Sequence, residues 1–131
     1  MRPTPDPEPL QAEAPPRELV TLWMAVLAGP LLLLWSQETK YAMVGWACRA
    51  GHELLLHATS AVTLLLVLLA VLVALGRWRD AGGAESTDAP DRAARTRFFA
   101  AVGFMLGGLS ALVVIAQWVP QLFYSPCQPL P

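Results

Sequence analysis

The chain has 131 residues, enough for a single domain, but 55% of them are hydrophobic and only 15% are charged. Soluble domains carry about a quarter charged residues. The formal net charge of −1 excludes the basic surplus expected of a nucleic-acid binder.

Residues 1–17, MRPTPDPEPLQAEAPPR, hold six prolines among scattered acids and no apolar periodicity. Such a stretch cannot bury enough surface to offset its ordering entropy, so it is expected to be a disordered or polyproline-like tail. Three apolar runs follow. The first extends from Leu19 to Trp35 without a charge. The second, Leu54 to Leu75, has His57 as its single ionisable group, and the third, Phe98 to Val119, has none. About 20 apolar residues cross a hydrocarbon core about 30 Å thick. Runs two and three reach that length, each with 22 residues. Run one is shorter and interrupted by Gly29-Pro30, but it gains length through Ser36-Gln37 toward Tyr41. Proline within a membrane helix is tolerated where neighbours satisfy the freed carbonyl. The expected fold is therefore all-α, with three transmembrane helices at about residues 19–40, 54–76 and 97–119 forming one membrane domain over 18–131. A cleaved signal is not expected, because the proline-rich leader is long and no A-x-A site follows run one.

Arginine and lysine set the expected orientation. The connector between runs two and three carries Arg77, Arg79, Arg92, Arg95 and Arg97, and the tail adds Arg2 and Arg17. The opposite side has Lys40 and Arg49. This asymmetry predicts a cytoplasmic amino terminus and a carboxyl terminus outside. Eight arginines against one lysine, with abundant Ala, Leu, Gly and Pro, match GC-rich bacterial genomes. The expected location is thus a bacterial inner membrane facing a periplasm. The middle of the connector, DAGGAESTDAPD, reads as a flexible tether.

Two constellations could carry chemistry. The only cysteines, Cys48 and Cys127, fall on the same extracytoplasmic side, in the first outer loop and the last segment. An oxidising compartment favours a disulfide between them, with a metal pair or two idle thiols as alternatives. The second constellation is polar residues at one depth: Gln37 and Glu38 ending span one, His52, Glu53 and His57 opening span two, and Gln117 ending span three. Glu53 and His57 are four apart and share a helix face. Gly103, Gly107, Ser110 and Gln117 form a stripe on span three. The Gly103-x-x-x-Gly107 part permits close helix approach, and Gln117 would then point inward near His57. The cluster can serve as a hydrogen-bonded structural group, a metal, haem or quinol contact, or a proton relay. His52 and His57 fail the zinc-protease pattern H-E-x-x-H. Five residues apart, they lie about 140° apart around a helix and cannot converge on one ion. No nucleophile–base–acid set can be assembled, so neither an enzyme nor a bound cofactor is expected. Trp35, Tyr41, Trp46, Trp78, Trp118, Phe123 and Tyr124 read as an interfacial aromatic belt.

Several stretches are distinctive together: Gly29-Pro30, Lys40-Tyr41-Ala42-Met43-Val44-Gly45-Trp46-Ala47-Cys48, a histidine opening span two, Ala116-Gln117-Trp118-Val119-Pro120 and Pro126-Cys127. With these the chain resembles a group of small bacterial three-span membrane proteins encoded near haem–copper cytochrome oxidase and oxidase-assembly genes. The similarity covers roughly residues 25–60 and 98–127. The group has no established activity, so the resemblance implies a context, aerobic respiration. The expected function is a non-enzymatic accessory or assembly factor of a respiratory complex, with the lipid bilayer and other membrane subunits as partners. The alternative is a metal- or haem-handling protein using the outer histidines and cysteines.

Overall fold

The structure, a computed structural model, describes residues 16–83 and 91–128. Most of the expected disordered tail (1–17) and the centre of the connector lie outside these residues. The described chain is all-helical: α1 (Pro16–Ala50), α2 (Leu54–Asp80) and α3 (Asp91–Phe123). All three are long and apolar enough to cross a membrane, and each packs against the other two. The protein is a multi-pass membrane protein built as an up–down–up bundle.

Helix formation here follows from the bilayer. Without water in the hydrocarbon core every backbone N–H and C=O must be paired within its own segment. Several hydroxyls on these helices are paired in the same way. Those of Thr21, Thr59, Ser60, Thr63 and Ser110 each donate to the carbonyl four residues earlier, at 2.7–3.2 Å. Ser60, Thr63 and Ser110 are thereby buried without an unmade bond.

The helices overrun the expected spans at several ends. Apolar length marks where a chain can cross lipid, whereas helix ends are set by caps. The 35 residues of α1 amount to about 52 Å, well beyond the hydrocarbon thickness. Pro30 lies inside α1 without ending it. The helix stops only at Gly51, whose φ of 70° is left-handed and nearly free of cost for glycine. The N–H of His52 then donates to the carbonyl of Ala47 at 2.9 Å, the long bond of a Schellman motif. Cys48, expected in an outer loop, therefore sits in the last turn of a helix. Gly82 ends α2 in the same way, at φ 97°, with Gly82 N–H on Arg79 and Gly83 N–H on Trp78. Arg77 and Arg79 in that last turn complement the negative end of the helix dipole. Pro120 falls inside α3, which runs on to Phe123.

The bundle is held at its middle by a close crossing. A Cβ built on Gly107 would lie 2.6 Å from Val71 Cγ2 of α2, and one on Gly29 of α1 would lie 2.8 Å from Gly107 Cα. A Cβ on Gly103 would collide with the carbonyl oxygen of Ala25. Gly29, Gly103, Gly107 and Ser110 are all buried. Side chains at the glycines would hold the backbones apart. Lipid supplies no hydrophobic drive between helices, so lost contact is lost association.

Gly107→Leu should destabilise the bundle by about 1–3 kcal/mol, the range typical of overpacking, because the new side chain meets the Val71 side chain of α2. Gly108→Leu, one position on and with open space around its Cβ site, serves as the control. Thermal melting of the helical circular dichroism signal in detergent should fall for the first and hold for the second. Equal melting of both variants would contradict the crossing.

Candidate functional site

The polar groups at the Cys48 end of the bundle gather where the α1–α2 hairpin meets the segment after α3. Three ties hold them. First, Cys48 and Cys127 form a disulfide across 79 residues of sequence, with Cα atoms 5.3 Å apart. Second, Ser125 Oγ donates to Glu53 Oε1 at 2.7 Å. Third, the indole Nε1 of Trp118 donates to His57 Nδ1 at 3.1 Å. The disulfide joins the tail to α1, and the two hydrogen bonds join the tail and α3 to α2.

Each tie has a local cause. The Gly51 turn brings the end of α1 against the start of α2, so Cys48 and Glu53 emerge close together in space. Glu53 is the N-cap residue of α2, yet its side chain makes no capping bond. Its carboxyl group accepts instead from Ser125. Backbone turns carry the tail back: Tyr124 N–H donates to Pro120 at 2.9 Å and Gln128 N–H to Ser125 at 3.3 Å. Cys127 N–H donates to Ser125 Oγ at 3.3 Å, which completes a relay from the tail backbone through the hydroxyl to the carboxylate. Trp46 lies over His52, ring centroids 5.9 Å apart, covering the hairpin from the α1 side.

The expected cluster is thus divided. Glu53 and His57 take part in the ties, and His52 makes a tilted ring contact with Trp46. Gln37 and Gln117 are half-buried and Glu38 is exposed, and none of the three has a hydrogen bond to another described side chain. His57 is met by Trp118, one residue beyond Gln117. The buried face of α3 runs Gly103, Gly107, Ser110, Val114, and a further step of four arrives at Trp118. The sequence stripe passed over Val114 and so ended on the wrong neighbour. Ser125 gave no signal either, because a serine in a proline-rich tail resembles any loop serine. Two groups the sequence did not single out stand without partners: the buried atoms Ser36 Oγ and Gln121 Oε1.

Chemically the arrangement is a clasp. Both sulfurs are consumed in the disulfide, so they offer no thiolate to a soft metal. The Nδ1 atom of His57 accepts a hydrogen bond, which leaves Nε2 to carry the proton in the neutral ring. Among the described residues no group of three or more His, Cys, Asp or Glu side chains could hold a metal ion. A closure of 79 residues would give about 4–5 kcal/mol by chain entropy. The membrane already restricts the unfolded chain, so the low end of the usual range, about 2 kcal/mol, is the better expectation. No family of known proteins matches the chain, and no curated protein or solved structure is significantly similar to it.

The clasp makes two measurable demands. Alkylation of unreduced membranes should label no thiol and reduction should expose two, while Cys48→Ser should sensitise the segment after Pro120 to protease and leave all three spans inserted. Two labelled thiols without reduction would dissolve the bridge. A double-mutant cycle of Trp118→Phe and His57→Phe should return a coupling of about 0.5–1.5 kcal/mol, the net value of one hydrogen bond. Additive effects would mean the pair contributes packing alone.

Proposed function

We propose that the protein is a non-enzymatic accessory or assembly factor of a respiratory oxidase complex. In this reading it lies in a bacterial inner membrane, with its amino terminus cytoplasmic and its carboxyl terminus periplasmic. The respiratory context comes from the resemblance carried by the Lys40–Cys48 stretch, Gln117-Trp118 and Pro126-Cys127. The accessory class comes from one structural observation, the near-contact of α1, α2 and α3 backbones and side chains at Gly107. A transporter needs a site near the bilayer midplane formed by discontinuous helices. Here the middle of the bundle is occupied by helix-on-helix contact, and α1 stays helical through Pro30. What such a bundle can offer a larger complex is its surface: long apolar helix faces within the membrane and a rigid, clasped outer end.

The orientation rests on the seven-to-two distribution of Arg and Lys. It agrees with the disulfide, since oxidised cysteines belong on the outer side of a bacterial membrane. The metal- or haem-handling alternative would have to rely on His52 and His57, because both cysteines are bonded to each other.

Affinity purification of the full chain from native membranes in mild detergent should recover subunits of a haem–copper oxidase or of its assembly machinery. Recovery without any respiratory subunit would remove this reading. Orientation is checked separately by a reporter active only in the cytoplasm, silent when fused after Pro131 and active when inserted near Gly83.

A further inference from the structure

At the end opposite the clasp the bundle is not filled. A half-enclosed cleft of about 460 Å³ opens between α1 and α2, with Thr96 and Ala100 of α3 behind it. That volume lies within the range of about 300–1,000 Å³ usual for sites that take small organic ligands. The cleft has a physical origin. Helices that cross at an angle separate away from the crossing; α1 stays close to α3 down to Ala25 and Gly103, and the space opens between α1 and α2. There the facing positions Ala25, Ala28 and Ala70 are too short to close the gap. The wall is apolar, built from Leu22, Met24, Leu69 and Val73. The rim is charged: Arg17 at the start of α1 and Arg77 at the end of α2, with Glu18 beside them. Two guanidinium groups thus stand at the rim against one carboxylate.

The dimensions choose the occupant. From Arg17 to Ala28 the α1 wall rises eleven residues, about 16 Å at 1.5 Å each. A hydrocarbon core of about 30 Å has leaflets about 15 Å deep. The cleft therefore begins at a pair of cations at the membrane surface and ends at the midplane. A partner helix would follow α1 through the whole bilayer, and a free anion would leave the apolar wall unused. An amphiphile with one anionic head and a tail one leaflet long matches both parts. We propose that the cleft is a binding site for an anionic phospholipid of the leaflet at the arginine-bearing end. Its phosphate contacts Arg17 and Arg77, and one acyl chain lies along the Leu22–Leu69–Val73 wall. Basic pockets between membrane helices recognise anionic head groups by the same physics, with forked guanidinium donors matching phosphate oxygens. The site is independent of any respiratory partner.

Native mass spectrometry of the full chain in detergent micelles tests the site. Micelles are titrated with phosphatidylglycerol, with phosphatidylcholine of the same acyl chains, or with glycerol phosphate. Phosphatidylglycerol should be retained about tenfold or more over phosphatidylcholine. Removing each arginine should cost about fivefold, so Arg17→Gln/Arg77→Gln should lose about 25-fold. Both side chains are exposed, so these changes leave folding intact. Arg79→Gln, which removes a charge from the same end but outside the cleft, should change nothing. Equal retention of the two lipids overturns the proposal, as does full retention in the double variant. Displacement by glycerol phosphate would show that the apolar wall is idle, and lipid binding only after a co-purifying polypeptide is stripped away would make the cleft a protein interface. Either result overturns it too.

Discussion

The whole bundle turns on Gly107. This one residue of α3 meets both other helices, α1 through Gly29 and α2 through Val71, at distances where any side chain would intrude. In water such a junction would be one contact among many, because burial of apolar surface holds the rest together. In lipid the surroundings are as apolar as the helix faces, and association depends on how closely atoms can approach. Small residues are therefore the adhesive part of this chain, and its many leucines chiefly face lipid: Leu31, Leu34, Leu65, Leu72 and Leu109 are all exposed. The inversion explains why the buried hydrophobic set among the described residues, Val26, Ala47, Leu56, Val67, Ala74, Ala100, Ala111 and Val114, has Leu56 as its one large side chain.

The disulfide-bonded end of the bundle solves a different problem. A helix crossing alone fixes the middle of a bundle and leaves its ends free to splay. The disulfide, the Ser125–Glu53 bond and the Trp118–His57 bond remove that freedom on one side, and they act on different pairs of segments. Where the local dielectric is lower than in bulk water, a hydrogen bond such as that from Ser125 to Glu53 is strengthened. The same setting penalises a loose polar group. Three ties together therefore convert polar residues that would be a cost at this depth into fasteners.

Much of this was legible in the sequence, and the boundary of legibility is physical. The number of helices follows from apolar length alone, which is why runs of 22 residues point so directly to spans. The pairing of Cys48 with Cys127 was legible from three-span topology, which puts both cysteines at one membrane face, without any geometric detail. Helix ends were harder, because a window of hydropathy ends where polarity begins, whereas the chain stays helical until Gly51 or Gly82 lets it turn. Side-chain partners were hardest. Gln117 and Trp118 differ by 100° on the helix, so misreading the stripe by one residue at Val114 exchanges one for the other. Trp118, read only as part of an aromatic belt, carries a donor that an interfacial position does not by itself satisfy. Ser125 has its role from a tail conformation that no periodicity describes.

The two ends of the bundle are unlike in a way that follows from these constraints together. One is closed by a covalent bond and by side chains that reach between helices. The other has short alanines where the helices diverge, and arginines at the rim. A bundle pinned at one end and crossed tightly at its middle concentrates its remaining freedom at the other, since local opening is easiest where few buried contacts resist it. Filling the space there with protein would need larger residues at Ala25, Ala28 or Ala70, positions directly below the crossing, where added bulk would begin to push apart the helices that Gly29 and Gly107 bring together. Leaving the space to lipid avoids that conflict. Short residues thus act twice in this bundle: glycines let the helices cross closely, and alanines beneath them leave the cleft open.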